Sequence, residues 1–361
     1  MSDILILSVA DLRHMTCANF FCYFLEEHNI TFDIICTNRY KEKAKSVYEC
    51  QLYQYDWIFD KNKSKIKKII PFLKFKHFAE RLIKDNQYRF IIIWGENAAL
   101  LFDGVLRKYR KKFCCNIRDV YDGKLSFLNK VLKGRAMQYA CFSTFPTPKG
   151  VEKYTSGKCF VLTNYDYAVE KLYTKPKKLV KSGGQLRITY MGLIYPYIET
   201  FKRFICAFKN DERFLISFFG EGADTLLASY AEEQEIYNVR FGGAFLPEKT
   251  SQYLEETDII NSVYGTENSG VSGAVGVKES YSPILHIPVI SDKGCYWARL
   301  SEKYGFGLGV ENDFITIPDI IFNWYQSLNA VQFDEACKKY LKKVTVSNKL
   351  VEEELCRLLC L

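Results

Sequence analysis

Glycines mark the ends of three successive strand-like segments in the second half of the chain. Gly192 follows the first apolar run, Gly220 and Gly222 follow the second, and Gly242 with Gly243 follows the third. A glycine at the carboxyl end of a parallel strand lets the backbone approach a ligand and leaves N–H groups available to phosphate. Each glycine alone is typical of an ordinary tight turn. Their repetition predicts a phosphate site at one sheet edge.

A lysine-rich stretch in the first half could contact an anionic surface. Residues 61–76 contain seven lysines and no acidic residue, interleaved with apolar side chains. A basic face beside an apolar face suits the surface of an anionic membrane, although a solvated helix is the ordinary alternative. The predicted membrane contacts are Lys65, Lys67, Lys68, Phe72, Lys74 and Phe75.

Alternating strand-like and helix-like segments must position these residues. The pattern begins with an apolar strand at residues 4–10, a helix at 19–28 and a strand at 32–36, which is a β-α-β opening. Such units build parallel sheets, and the alternation restarts after residue 185. We therefore predict an α/β protein with two Rossmann-like domains that face each other across a cleft. Ligands bind at the carboxyl ends of strands in such sheets.

The predicted boundaries follow from a basic stretch that contains proline, serine and glycine. We place the first domain at residues 1–170, a linker at 171–185 and the second domain at 186–340. Residues 341–361 form a C-terminal helix, which we expect to pack back on the first domain.

The composition argues against a membrane-spanning protein and against a structural zinc protein. The chain has 361 residues, of which 48% are hydrophobic, and its longest apolar runs are far too short to span a membrane. Residues 1–185 carry 33 basic and 18 acidic residues, and the remainder carry 17 and 24, so the halves differ from +15 to −7. The 13 cysteines show no paired CxxC motif, which argues against structural zinc and favours a reducing cytosol. The N-terminus lacks signal-peptide features, so we expect a cytoplasmic protein.

The second half resembles the donor-binding half of GT-B glycosyltransferases, close to the family-four-like enzymes of bacterial capsule, O-antigen and exopolysaccharide synthesis. The resemblance covers residues 187–310 best. In the first half, the Arg118-Asp119 pair and the segment that ends at Asn164 are consistent with the same family. The matching stretches begin at Ile188, Ile216, Val239, Tyr253, Lys278, Pro288 and Tyr304.

The resemblance implies a nucleotide-sugar donor on the second domain, with no resident cofactor and no metal. Lys278 is expected to meet the diphosphate, and Phe245 to lie near the nucleobase, although a surface lysine and a core phenylalanine are the alternatives. The sequence departs from the family where two glutamates are usual, because Gly273 and Tyr281 stand there. The implied donor-binding residues are Gly192, Gly220, Gly222, Phe245, Leu246, Ser269, Gly270, Lys278 and Tyr281.

The resemblance implies that the first domain binds a glycan acceptor through polar residues at its strand ends. An inverting transfer needs a general base, and Asp119 and His14 are the candidates. Asp119 could equally cap a helix or pair with a neighbour, and His14 could be an ordinary loop residue. The predicted acceptor-binding residues are Asp11, Arg13, Glu96, Asn97 and Arg118.

The predicted function is transfer of a sugar from a nucleotide-sugar to a lipid-linked glycan at the inner face of the plasma membrane. Two alternatives stay open, a nucleotide-sugar 2-epimerase and a non-catalytic GT-B subunit that binds a partner or glycan. A nucleic-acid binder is disfavoured because the second half is acidic and no RRM or helix-turn-helix pattern occurs.

Overall fold

The computed structural model describes residues 2–15, 18–40, 42–57, 65–118, 134–153, 157–172, 179, 184–245, 249–265, 275–311 and 314–361. The chain divides into two compact units. Unit 1 comprises Met1–Tyr165 together with Val346–Leu361, and unit 2 comprises Asp166–Thr345. Each unit contains one parallel sheet with helices around it.

The sheet of unit 1 has the strand order β3-β2-β1-β4-β5-β6-β7, and each neighbouring pair is parallel. The central strands are buried along nearly their whole length, which explains their almost continuous apolar sequence. The strands are β1 (Ile4–Asp11), β2 (Phe32–Asn38), β3 (Gln51–Asp56), β4 (Phe90–Trp94), β5 (Phe113–Asn116), β6 (Ser143–Phe145) and β7 (Cys159–Val161).

The helices of unit 1 include one that runs through a proline. The sequence predicts a helix at 66–86 with an interruption near Pro71, but the structure has a continuous helix there. The proline therefore costs a backbone hydrogen bond without ending the helix. The helices are α1 (Asn19–Glu27), α2 (Lys65–Asn86), α3 (Glu96–Leu101), α4 (Asp103–Lys108), α5 (134–139) and α6 (Pro148–Lys153), with a 3-10 turn at Leu12–His14.

The sheet of unit 2 has the strand order β10-β9-β8-β11-β12-β13 and is also parallel. Its core is rich in aromatic rings, with Tyr190, Phe201 and Phe218 packed against one another. The strands are β8 (Leu186–Met191), β9 (Phe214–Phe219), β10 (Val239–Gly242), β11 (Ile259–Ser262), β12 (Val289–Asp292) and β13 (Gly307–Val310).

Helices alternate with these strands through unit 2. A π-helical turn at Ala223–Leu227 precedes α9, and Gly222 caps it in the left-handed conformation at φ 95°. The helices are α7 (Tyr167–Leu172), α8 (Ile198–Ala207), α9 (Ala228–Glu233), α10 (Thr250–Glu255), α11 (Val277–Leu285), α12 (Tyr296–Tyr304), α13 (Ile317–Ser327) and α14 (Ala330–Leu359). No helix among the described residues has both the length and the apolar character needed to cross a bilayer.

The last part of α14 belongs to unit 1. Ser347 Oγ donates to the Val161 carbonyl at 2.6 Å, and Lys158 Nζ pairs with the Glu354 carboxylate at 2.6 Å. Glu354 is 5% exposed, so this pair is shielded on one side. Unit 1 is therefore assembled from both ends of the sequence.

A buried aspartate links β8 to the start of β11. Asp258 is 4% exposed and accepts from the backbone N–H of Arg187 at 3.0 Å and from its guanidinium at 2.8 and 2.9 Å. We expect Asp258→Ala to lower the free energy of unfolding by about 2–3 kcal/mol, because buried donors lose a charged acceptor. Urea unfolding followed by circular dichroism measures this loss. Asp319→Ala is the control, because the Asp319 carboxylate is 70% exposed and its pair with Arg213 should contribute little.

Candidate functional site

Two glycine turns lie in contact at the carboxyl edge of the unit 2 sheet. The Gly192 N–H donates to the Phe219 carbonyl at 2.9 Å, and the Gly220 N–H donates to the Gly242 carbonyl at 3.0 Å. Gly192 and Gly220 both have φ near 145°, which side-chain-bearing residues rarely adopt. A Cβ on Gly220 would lie 2.7 Å from the Gly192 carbonyl carbon. Only glycine therefore allows these two backbones to approach so closely.

The amine of Lys278 lies beside the Gly192 turn. It occupies the first turn of α11, and its Nζ donates to the Met191 carbonyl at 3.1 Å. The same Nζ lies 3.6 Å from the Tyr190 ring centroid and 4.6 Å from that of Tyr264. A Cβ on Gly192 would be 3.5 Å from it. The amine is thus held by two rings and a carbonyl beside the Gly192 turn.

The pKa of the Lys278 amine lies close to neutral pH. Burial lowers the pKa of Lys278 to about 7, and the neighbouring Glu279 opposes this decrease. Burial likewise raises the pKa of Glu279, while the charge of Lys278 acts in the opposite direction. An anion that reaches Lys278 would favour its charged form.

Glu279 is a buried residue of this site that sequence analysis did not select. Its side chain is 4% exposed, and its Oε1 accepts from Ser262 Oγ at 3.1 Å. Charged residues in a first helical turn are usually solvated, so the sequence carries no signal for this burial. Only the position of Ser262 at the end of β11, opposite α11, brings the two together.

Asp292 fixes the backbone that leaves β11. Its carboxylate accepts from the N–H groups of Tyr264 at 2.7 Å and Gly265 at 2.9 Å. Burial raises its pKa, whereas these backbone donors lower it. The predicted donor-binding residues Ser269 and Gly270 follow this segment and lie outside the described residues, as does Leu246.

Three aromatic rings lie in the region predicted for the nucleobase, namely Phe219 at the end of β9, Phe245 after β10 and Tyr253 in α10. The Phe219 and Tyr253 rings stack at 3.8 Å with an interplanar angle of 9°, and Phe245 meets Tyr253 edge-on at 5.0 Å. Phe245 is half-buried, so one part of its ring is packed and another is accessible. Its contact with a base stays a prediction.

Tyr281 uses its hydroxyl within unit 2. Its Oη donates to Asp166 Oδ2 at 3.1 Å, and Asp166 Oδ1 accepts from the Val169 N–H at 3.3 Å. Both side chains are buried, at 8% and 6% exposed. Tyr281 therefore connects α11 to the N-terminus of α7, and its predicted donor contact stays a prediction.

In unit 1, Asp11 organises the residues at the end of β1. It is fully buried and accepts from the Arg13 N–H at 3.0 Å, the Arg13 guanidinium at 3.3 Å and the Arg39 N–H at 2.8 Å. The predicted acceptor contact of Asp11 is corrected on this ground, because its oxygens face Arg13 and Arg39 rather than solvent. Arg13 itself remains partly exposed.

His14 lies beside this cluster on the 3-10 turn. Its Nε2 is within hydrogen-bond distance of Tyr40 Oη, at 2.9 Å. Burial lowers the pKa of His14, with Asp11 opposing and Arg39 reinforcing the decrease. The ring is therefore neutral near pH 7 and able to accept a proton, as a general base requires. The other predicted base, Asp119, lies outside the described residues.

The remaining predicted acceptor residues follow β4 and β5, which are neighbours in the sheet. Arg118 is buried and donates to Asn116 Oδ1 at 2.8 Å, and Glu96 is buried at the start of α3. Asn97 is exposed. The fold brings these side chains to one edge, as expected for strand ends of a parallel sheet.

The lysine-rich stretch places its apolar residues against unit 1. Phe75 is fully buried in the core, so the prediction that it contacts a membrane is corrected. Phe72 packs edge-on against Trp57 at 4.3 Å, whereas Lys74 is exposed. The side chains of Lys65, Lys67 and Lys68 lie outside the described residues, although α2 includes their backbone. Within the described part of the chain, no three His, Cys, Asp or Glu residues are grouped to hold a metal ion.

Two parallel sheets with flanking helices, each Rossmann-like, match the GT-B fold class, which confirms the predicted α/β class with two Rossmann-like domains. The whole chain is similar to solved structures of this class. Sucrose-phosphate synthase from Thermosynechococcus elongatus matches with a TM-score of 0.69 and 10% identity, over 98% of this chain and 99% of that one. WaaG, a glycosyltransferase involved in lipopolysaccharide biosynthesis, matches with a TM-score of 0.66 and 8% identity, over 97% and 98%.

An epimerase structure is also similar. UDP-GlcNAc 2-epimerase from Neisseria meningitidis, bound to UDP-GlcNAc, matches with a TM-score of 0.56 and 12% identity, over 94% of this chain and 99% of that one. No protein-family model and no curated protein sequence matches the chain. At these identities the likeness establishes the fold alone.

Proposed function

We propose that the chain is a glycosyltransferase that moves a sugar from a nucleotide-sugar held by unit 2 to an acceptor held by unit 1. The observation that carries this proposal is the position of Lys278 Nζ, 3.1 Å from the Met191 carbonyl at the Gly192 turn. A half-buried ammonium in the first turn of a helix suits a diphosphate. The compared glycosyltransferases and the UDP-GlcNAc-bound epimerase support a nucleotide-sugar ligand.

The proposed chemistry divides between the two units. In unit 2, Lys278 and the first N–H groups of α11 would stabilise the negative charge that develops on the leaving diphosphate. In unit 1, His14 or Asp119 would take the proton from the acceptor hydroxyl as the new glycosidic bond forms. No bound metal is required in this proposal, because the amine and the helix terminus supply the positive charge.

We further propose that the acceptor is a lipid-linked glycan and that the pathway makes a surface polysaccharide. Location on the inner face of the plasma membrane would follow from the basic character of unit 1 and of α2. The proposal includes no resident cofactor and no nucleic-acid partner.

Nucleotide binding tests the proposal first. The thermal unfolding midpoint of the full chain is measured with UDP, GDP, CMP, dTDP and their common sugar conjugates. A ligand at about 100 times its dissociation constant stabilises by about 2.7 kcal/mol, so one base should raise the midpoint clearly. The stabilising nucleotide-sugar is then incubated with a glycan acceptor mixture, and a new glycosidic product supports transfer. No stabilisation by any nucleotide would contradict the proposal.

A nucleotide-sugar 2-epimerase is the second candidate, because a UDP-GlcNAc 2-epimerase shares the fold. Incubation with UDP-GlcNAc in deuterated water separates the two reactions. Deuterium at C2 without any acceptor would establish epimerisation, and nucleotide binding without either reaction would favour the non-catalytic subunit.

The pKa of Lys278 predicts the pH dependence of nucleotide binding. Because that pKa is about 7 in the free protein, a bound diphosphate should raise it and take up a proton. UDP affinity should therefore fall as pH rises above 7, by up to about tenfold per unit. Calorimetry between pH 7 and 9 measures the slope. Lys278→Arg, which stays charged throughout, should flatten it, and equal slopes in both proteins would contradict this cause.

The membrane proposal predicts binding to anionic vesicles. Replacing Lys65, Lys67 and Lys68 with glutamine should weaken sedimentation with phosphatidylglycerol vesicles by roughly 100-fold, at about 1 kcal/mol for each lysine near the surface. The matched control replaces the three exposed lysines Lys342, Lys343 and Lys349. Equal loss in both triple variants would mean that α2 has no specific role.

A further inference from the structure

Arg39 lies at the end of β2 with most of its guanidinium unused. Its backbone N–H donates to Asp11 Oδ2 at 2.8 Å, and its Nη2 donates to the Val9 carbonyl at 2.9 Å. The guanidinium lies 5.3 Å from the Trp57 ring centroid. Its Nε and Nη1 make no hydrogen bond with the residues that the structure describes. These two nitrogens of an exposed guanidinium are thus available to a ligand.

Arg13 approaches the same point from the end of β1. Its Nη1 contacts both oxygens of Asp11 at 3.3 Å, and its Nη2 donates to the Glu42 carbonyl at 2.6 Å. Its guanidinium carbon lies 4.6 Å from the Tyr40 ring centroid. These contacts fix the direction of the Arg13 side chain, so the side chain is preorganised for a ligand.

The charges at this point do not balance. Two arginines face one carboxylate, and that carboxylate, Asp11, has no exposed surface. Asp56, at the end of the neighbouring strand β3, accepts from Asn38 Nδ2 at 3.0 Å and pairs with Lys43 at 3.8 Å, and Glu42 contacts Arg13 through its backbone carbonyl. The surface presented to solvent is therefore cationic, and guanidinium groups bind phosphate oxygens in matching planar geometry.

The place in the fold also favours a ligand. β1 lies between β2 and β4, which is where the strand order of the unit 1 sheet reverses. Ligands of open parallel sheets bind at the carboxyl ends of strands beside such a reversal. Arg13 follows β1, beside the reversal, and Arg39 follows the adjacent strand β2.

From these contacts we infer that Arg13 and Arg39 form a site for a phosphate or diphosphate group, framed by the rings of Tyr40 and Trp57. The site is in unit 1 and is separate from Lys278 in unit 2. Its role as part of an acceptor site rests on the proposed function, whereas binding of the phosphate group does not. The phosphate could belong to a lipid-linked molecule or to a soluble one.

Calorimetry on the full chain tests the inference with inorganic pyrophosphate and geranyl diphosphate. Pyrophosphate should titrate two sites in the unaltered protein. Arg39→Gln should weaken one of them by about tenfold or more, and Lys278→Met should weaken the other. Arg110→Gln is the matched control, because Arg110 is an exposed arginine of unit 1 that lies 5.2 Å from the Tyr139 ring centroid. Unchanged thermal midpoints confirm that each variant is folded.

The two ligands identify the source of the phosphate. Weaker binding of both ligands at one site in Arg39→Gln, with the Lys278 site unchanged, supports the inference. Tighter binding of geranyl diphosphate than of pyrophosphate at the Arg39 site assigns it to a lipid-linked molecule. Equal binding assigns it to a soluble phosphate. Pyrophosphate binding that is unaffected by Arg39→Gln, or reduced equally by Arg110→Gln, overturns the inference. Failure of UDP to bind would refute the proposed function and leave this result unaffected.

Discussion

Lys278→Met should weaken the binding of UDP by about 100-fold. Methionine keeps the length of the side chain and its packing on Tyr190 and Tyr264, but it removes the ammonium that lies 3.1 Å from the Met191 carbonyl. Loss of a charge-assisted hydrogen bond in a buried site costs about 1.5–3 kcal/mol, and 2.7 kcal/mol corresponds to 100-fold. Isothermal titration calorimetry at pH 7 measures the change directly.

A second lysine over a tyrosine provides the control for this measurement. Lys202 Nζ lies 5.1 Å from the Tyr230 ring centroid in the same unit, and it pairs with the exposed Glu199. Lys202→Met should leave UDP affinity within about twofold, since the pair is at the surface. If Lys278→Met binds UDP as tightly as the unaltered chain, the diphosphate is not at this amine and the assignment of unit 2 as the donor site is wrong.

Gly220→Ala should lower the free energy of unfolding by roughly 3–5 kcal/mol. The added Cβ would lie 2.7 Å from the Gly192 carbonyl carbon and 3.3 Å from its nitrogen, and these are backbone atoms that cannot rotate away. The backbone at φ 145° adds strain of its own for alanine. Overpacking and strain together give this magnitude. Urea unfolding measures it, and UDP binding should be lost with the glycine turns.

Gly294→Ala measures the cost of backbone strain without the steric clash that an added Cβ causes at Gly220. Gly294 also has a positive φ, at 78°, but a Cβ there would meet nothing within 4 Å. Its replacement should therefore cost only about 1–2 kcal/mol, which is the strain alone. Equal losses in the two variants would show that the contact between the glycine turns contributes nothing to stability.

The strands could be predicted because burial on both faces leaves a direct trace in the sequence. Continuous apolar runs at β1 and β4 correspond to strands whose sides are both covered by helices. The sequence predicts a strand at 55–59, but the strand there is β3 (Gln51–Asp56), an edge strand of intermediate burial that has no continuous apolar run. The sequence likewise predicts one helix at 98–109, but the structure has two helices in this region, α3 and α4. Apolar periodicity continues through that division and conceals it.

Residues of the candidate site could be predicted only where the local backbone or a family motif requires that residue type. Gly220 needs its positive φ, so the sequence shows it, and Lys278 stands at a position that the family resemblance indicates. Glu279, Arg39 and Asp292 were not predicted, because their roles depend on partners 17 to 28 residues away in the chain. Only the sheet topology brings such pairs together, and a single sequence contains no direct record of it.

Unit 1 cannot be completed until residues 346–361 have been made. Its last segment, Val346–Leu361, is synthesised after every residue of unit 2, yet Ser347 and Glu354 bond to the strand and loop at Val161 and Lys158. Domains usually fold in order as they leave the ribosome. Unit 1 begins earlier along the chain but lacks residues 346–361 until unit 2 has been synthesised, so we expect unit 2 to fold first. A chain stalled or truncated before residue 346 would carry a folded C-terminal domain and an unfinished N-terminal one.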